Sequence, residues 1–180
     1  MTVYVGLLRA VNLGGSTQIS MATLAELMSR KGFEDVHTLL QSGNVVFRSE
    51  ATDTGRLERT LETEVAKGLG LTTDFFVRTA SEWREILQQN PFPREASEDP
   101  AHVVVTALKR APSSEEWAAL RSAIQGRERV RGSGRHAYIV YPDGIGRSKL
   151  TAGLIERKLA TRGTSRNWNT VQKLGQLASS

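Results

Sequence analysis

The sequence predicts an α+β protein built as two ferredoxin-like, α/β-plait halves in tandem, each an antiparallel sheet with helices packed on one face. Three observations carry this prediction. Across residues 2–78, short apolar alternations and longer stretches with apolar residues every third or fourth position follow one another in the order βαββαβ. A similar succession starts again after a polar, proline-containing stretch at 91–100. Both successions place a Ser-Gly turn between their second and third strands, at Ser42-Gly43 and Ser133-Gly134.

The elements follow in order. Residues 2–9 read as a strand, with Val3, Val5 and Leu7 on one face and Tyr4 and Leu8 on the other. A loop containing Asn12, Gly14 and Gly15 leads to Ser20, an N-cap for a helix with Met21, Leu24, Leu27 and Met28 on one side and Gly32 as its stop. Strands at 36–41 and 45–48 flank the turn Ser42-Gly43-Asn44, whose residues tolerate positive φ. Leu57, Leu61, Val65 and Leu69 make an amphipathic helix over 53–70, and 72–78 returns to strand.

Thr79 and Glu82 have the spacing of a reciprocal N-terminal cap, so a helix with Trp83, Ile86 and Leu87 runs from there to Asn90-Pro91. Residues 91–100 read as a linker or lid loop. A strand at 101–108 follows, then a helix from Ser113 with Trp117, Leu120 and Ile124, strands at 127–131 and 136–141, and a helix with Leu150, Leu154, Ile155 and Leu159. Residues 164–178 read as a further helix, with Trp168, Val171 and Leu174 three apart. The expected organisation is a first half over 1–78, a connecting helix and loop over 79–100, and an incomplete second half over 101–180 with basic C-terminal helices.

Composition bounds function. The chain has 180 residues, 39% of them hydrophobic, and no Cys, which excludes a disulfide-stapled scaffold, a collagen-like chain and any thiolate metal site. No stretch is apolar for the roughly 20 residues a spanning helix needs, and the first fifteen residues lack the pattern of a signal peptide. A soluble, cytoplasmic protein is expected. The net charge of +5 is concentrated at one end, because residues 127–180 hold eleven basic and three acidic side chains. That surface suits an anionic partner, or it serves solubility alone.

Three stretches are more specific than the fold requires: Leu8-Arg9-Ala10-Val11-Asn12-Leu13-Gly14-Gly15, then Gln41-Ser42-Gly43-Asn44-Val45-Val46-Phe47, then a C-terminal pair. That pair is Gly144-Ile145-Gly146-Arg147-Ser148-Lys149-Leu150 and Thr164-Ser165-Arg166-Asn167-Trp168-Asn169-Thr170-Val171. Together, in this order, they resemble the bacterial family called domain of unknown function 1697. The resemblance implies a duplicated ferredoxin-like fold over essentially the whole chain, and it implies no activity, cofactor or catalytic residue. Ala10 departs slightly from the usual pattern of such proteins.

Read for chemistry, Asn12, Gly14 and Gly15 lie between a strand and a helix, where freed backbone N–H groups and a helix N-terminus favour an anion; a turn needing positive φ, with Asn12 tied to its own backbone, is the simpler account of them. Gly144 and Gly146 release the backbone before a helix expected near Ser148, with Arg147 and Lys149 beside it. Phosphate suits that place. Arg166 and Asn167 add donors, and Trp168 adds a ring that either stacks a base or belongs to the core. Tyr4 sits where RNA-recognition sheets carry a stacking ring, but 44–48 lacks the matching aromatic octamer.

His37, His102 and His136 stand singly, away from metal-ligand spacing, and no serine has the Gly-x-Ser-x-Gly elbow. No catalytic residue, metal site or cofactor is assigned. The expectation is a non-catalytic binding protein for a phosphate-bearing ligand, nucleic acid included, through Asn12, Gly14, Gly15, Arg147, Ser148, Lys149, Arg166 and Asn167. An enzyme on a small phosphorylated or acidic metabolite and a protein-interaction or self-association module are the alternatives.

Overall fold

The computed structural model describes residues 1–9 and 19–180. The loop with Asn12, Gly14 and Gly15 lies outside the described residues, so three of the expected binding positions carry no structural account.

The chain forms two compact units, Met1–Gln88 with Lys173–Ser180, and Gln89–Gln172. The first contains strand β1 (Thr2–Leu8), helix α1 (Met21–Arg30), β2 (Glu34–Leu39), β3 (Asn44–Ser49), α2 (Thr54–Leu69), β4 (Phe75–Thr79) and α3 (Ala80–Gln88). Its four strands lie in the order β2-β3-β1-β4, every neighbouring pair antiparallel. The alternation expected of β1 decides which face it gives to the helices. Tyr4 and Leu8 join Val45, Phe47, Phe75 and Val77 beneath Leu24, Leu27 and Met28 of α1 and Leu57, Leu61 and Val65 of α2. Val5, Leu7, Val46 and Phe76 on the opposite face are buried too.

Local chemistry sets the ends. Ser20 Oγ accepts from Thr23 N–H at the start of α1, and Asp53 Oδ1 from Arg56 N–H at the start of α2. Gly70, at φ +65°, closes α2 in the left-handed conformation that glycine adopts without strain. Thr79 and Glu82 form the expected reciprocal cap, Thr79 N–H donating to Glu82 Oε2 at 2.7 Å and Glu82 N–H to Thr79 Oγ1 at 3.0 Å. Asn44 is wholly buried, and its Nδ2 donates to the Leu39 carbonyl and to Ser42 Oγ, so the Gln41-to-Phe47 motif ties the β2-β3 turn.

The second unit repeats the succession. Helix α4 (Pro93–Glu98) and a 3-10 turn (Pro100–His102) lead into β5 (Val103–Leu108), α5 (Ser114–Ala123), β6 (Arg129–Ser133), β7 (His136–Val140), α6 (Ala152–Leu159), β8 (Gly163–Asn167) and the start of α7 (Trp168–Ala178), whose residues from Lys173 onward belong to the first unit. The sheet order is β6-β7-β5-β8, again antiparallel throughout. Val104, Leu108, Val130, Ala137 and Ile139 pack beneath Leu120 of α5 and Ile155 and Leu159 of α6. The molecule is therefore a mixed α+β chain of two similar halves, each with a four-stranded antiparallel sheet, as a duplication leaves.

Three expectations are corrected. The second half is not incomplete: residues 163–167 are strand, where helix was expected from residue 164, and they give the second sheet its fourth member. Residues 91–100 are not a bare linker or lid, because Pro93 starts α4, Phe92 and Ala96 are buried, and Arg129 lies 5.0 Å over the Phe92 ring. Ser148 does not begin a helix; Thr151 caps α6, its Oγ1 accepting from Leu154 N–H. Of the two readings left open for Trp168, the core one holds: Trp168 and Tyr4 are 6% and 1% exposed, so neither ring is open to stack a base.

Candidate anion site on the second sheet

The edge strands of the two sheets differ in one respect that bears on function. In an antiparallel ladder, alternate residues of an edge strand turn both N–H and C=O away from their partner. The bond from Arg9 N–H to the Asp74 carbonyl sets this phase for β4, so Phe75, Val77 and Thr79 point outward. Each of those N–H groups meets a carboxylate: Phe75 donates to Glu62 Oε1 at 3.0 Å, Val77 to Glu58 Oε1 at 2.9 Å and Thr79 to Glu82 Oε2 at 2.7 Å. Carboxylates thus cover an edge that would otherwise template pairing with another chain.

The bond from Lys109 N–H to the Arg162 carbonyl sets the same phase for β8, and Gly163, Ser165 and Asn167 point outward. Gly163 N–H donates to Glu156 Oε1 at 3.1 Å. The main-chain N–H groups of Ser165 and Asn167 meet no acceptor among the described residues. Ser165 Oγ shares a hydrogen bond with Thr106 Oγ1 at 2.7 Å, and Asn167 Oδ1 accepts from Thr170 N–H, capping α7.

A cavity of about 470 Å³ opens beside these groups, lined by Ser165, Arg166 and Asn167 on one side and by Ile145, Leu150, Thr151, Ala152 and Ile155 on the other. The two C-terminal motifs singled out in the sequence therefore come together: Arg166 and Asn167 line the cavity, whereas the first motif contributes Ile145 and Leu150 rather than Arg147, Ser148 and Lys149. Arg147 and Lys149 are exposed and do not line the cavity. Ser148 is spent on the loop itself: its Oγ donates to Glu128 Oε1 at 2.6 Å and accepts from Leu150 N–H at 3.0 Å. Ser165 was missed as a site residue, because its contribution is a main-chain donor that no side-chain motif announces.

Arg166 is 9% exposed, and burial holds its guanidinium below the ordinary arginine range, at about 10. The side chain folds back on the strand edge, Nη1 donating to Thr164 Oγ1 at 2.8 Å and to the Ser165 carbonyl at 2.9 Å. Arg78 does the same in the first sheet, with Nη1 on the Val77 carbonyl at 3.0 Å and 3.6 Å from Glu58 Oε1. Tyr141, also in the lining, donates to the Leu150 carbonyl, and burial pushes its phenol up to about 12.

Much of the basic surface of this half is engaged in pairs. Arg127 pairs with Asp143, Arg129 with Glu95, and Arg110 with Glu116 while also donating to the Leu159 and Ala160 carbonyls. A wider concavity of about 670 Å³ includes Lys109, Arg110, Arg157 and Arg162 together with Glu156. Among the described residues, no group of three or more His, Asp or Glu side chains is placed to hold a metal ion, and no helix is long and apolar enough to cross a membrane.

Comparison with known proteins bears on family and fold. The family model described as protein of unknown function (DUF1697) matches residues 1–138. A solved structure of a conserved bacterial protein from Streptococcus pneumoniae superposes with a TM-score of 0.76 at 22% sequence identity, over 98% of each chain. No curated protein matches the chain.

Proposed function

We propose that this chain, which belongs to the DUF1697 family of proteins of unknown function, is a binding protein for a small ligand carrying phosphate or another anionic group, seated in the cavity between β8 and α6. The observation that carries the reading is the pair of outward N–H groups of Ser165 and Asn167 opening on that cavity with Arg166 beside them. Backbone donors turned in one direction, backed by a cation, are what anion cradles are made of. Ser165 Oγ shares its hydrogen bond with Thr106 rather than with an imidazole or carboxylate, which favours binding over transfer chemistry. Exposed Arg147 and Lys149 then act at longer range, drawing anions toward the site. The nucleic-acid version of the proposal is left with charge alone, since Tyr4 and Trp168 are buried.

We read each half as a ferredoxin-like plait. The order β2-β3-β1-β4 with two crossing helices, and its counterpart β6-β7-β5-β8, support that description.

The test is calorimetric titration of wild type and Ser165→Pro with inorganic pyrophosphate. Proline removes an N–H that makes no ladder bond, a substitution edge strands accept, and a melting curve of the variant checks that losing the Ser165 hydroxyl from Thr106 leaves the fold in place. It should bind at least about tenfold more weakly. Equal affinity in the two proteins would place any binding elsewhere and end the cavity reading.

A further inference from the structure

The duplication lets one edge strand be compared with the other. Glu62 of α2 and Glu156 of α6 each accept from the first outward N–H of the following strand, Phe75 and Gly163. Matched on that contact, Val77 falls on Ser165 and Thr79 on Asn167. One helical turn before the two glutamates, Glu58 stands against Ala152, and three residues beyond the last outward position, Glu82 stands against Thr170. Glu82 and Thr170 open their helices alike, each donating its N–H to the matched strand residue, at Thr79 Oγ1 and Asn167 Oδ1. The carboxylates that close the first edge at Val77 and Thr79 are thus the two that the second half lacks, and the donors left open there are those of Ser165 and Asn167.

An edge strand without such cover is a template for another strand. Outward N–H groups two residues apart recur about every 6.6 Å, and so do alternate carbonyls of an extended peptide. The Ser165 carbonyl points the same way; it takes Arg166 Nη1 at 2.9 Å and keeps a second lone pair for a partner N–H. Beside this edge lies the cavity of about 470 Å³, whose far wall carries Ile145, Leu150 and Ile155, with Ile145 47% exposed. Side chains of an added strand alternate between faces, so every second one meets that apolar wall. Charge narrows the choice of peptide. Arg147 and Lys149 stand exposed on the loop between Ile145 and Leu150, and neither pairs with an acid among the described residues. Acidic residues flanking the apolar ones complement them.

We propose that the cavity between β8 and α6 is a groove for a short acidic peptide of another protein, which adds to the four-stranded second sheet as one more strand. Its main chain pairs with Ser165 and Asn167, its alternate apolar side chains lie against Ile145, Leu150 and Ile155, and its acidic flanks lie beside Arg147 and Lys149. The inference rests on the open donors of the anion-site reading and gives them a main-chain partner. Main-chain bonds supply the affinity of such a complex, and the apolar wall and the two cations supply its selectivity.

The test is an amide-shift titration of the full chain by nuclear magnetic resonance with three probes: the acetylated, amidated peptide EVTVTE, its lysine counterpart KVTVTK, and inorganic pyrophosphate. EVTVTE should move the Ser165 and Asn167 amides saturably and slow their hydrogen exchange, with the ladder amides of Thr164 and Arg166 less changed. Its valine methyls should give nuclear Overhauser contacts to Ile145 and Ile155. KVTVTK should bind at least about tenfold more weakly, and Arg147→Glu combined with Lys149→Glu should reverse that order. Both positions are exposed, so this variant keeps its fold. Ala152→Glu sets a carboxylate where the first half has one and should weaken EVTVTE by about tenfold or more. EVTVTE that leaves both amides unmoved overturns the peptide assignment; pyrophosphate then decides the anion reading separately, by moving those amides or failing to. KVTVTK bound as tightly as EVTVTE overturns the assignment as well.

Discussion

Glu58 and Arg78 show what a buried charge requires at the scale of single residues. Both are almost fully buried, and each answers the other: the carboxylate also takes the Val77 N–H, and the guanidinium also donates to the Val77 carbonyl. Removing one partner leaves the other charge desolvated without its counter-ion, a far larger loss than the net worth of the pair. Glu58→Ala is therefore expected to lower stability by about 3 to 5 kcal/mol in urea denaturation. A loss below about 1 kcal/mol, the level of an exposed pair, would contradict the assigned role. Arg166 faces the same physics with different surroundings, and its pKa of about 10 records the burial.

At the scale of elements, α5 is held at both ends of its first turn. Ser113 and Glu116 cap it reciprocally, and the Glu116 carboxylate also receives two bonds from Arg110, whose guanidinium continues to the carbonyls at the end of α6. The Arg110 bonds first, and the Ser113 backbone N–H second, hold the Glu116 carboxyl at about 2, below its ordinary 4.5. Because the folded value is depressed, the associated stability is full above pH 4.5 and is lost as pH falls from there toward 2. Thermal melting between pH 7 and pH 2 should show that loss, and Arg110→Ala should both lower the melting temperature at pH 7 and shrink the acid-induced drop. An identical drop in the variant would remove Glu116 from the account.

Elements also show which parts of the fold could be read in advance. Helices α1 and α2 carry regular apolar spacing and recognisable caps, so periodicity found them. Strand β8 has no such pattern. Its buried positions include Thr164 and Arg166, and Ser165 is exposed on an edge, so the five residues carry no apolar alternation. The expected helix from residue 164 followed the Trp168, Val171 and Leu174 spacing too far back; that spacing belongs to α7 alone. Helix α4 hid in the same way, its six residues burying one alanine. Of the site, Arg166 and Asn167 stood out by residue type, whereas the main-chain donor of Ser165 did not. The four-residue spacing of Glu58 and Glu62, against Ala152 and Glu156, was the signal that would have found it.

The whole molecule is best understood as one plan used twice and completed differently. In the first half, three carboxylates of the chain finish the edge strand. In the second, one does, and a cavity stands beside the remaining two donors. The second half differs from the first in a later helix start and in Ala152 where the first half has Glu58.

The most direct measurement of that claim is amide hydrogen exchange at Val77 and Ser165, in wild type and in Ala152→Glu. The account predicts slow exchange at Val77, fast exchange at Ser165 in wild type, and slowing at Ser165 by about tenfold or more once a glutamate stands at 152. Equal protection of Val77 and Ser165 in the wild-type protein, or a Ser165 rate unmoved by the new carboxylate, would contradict it.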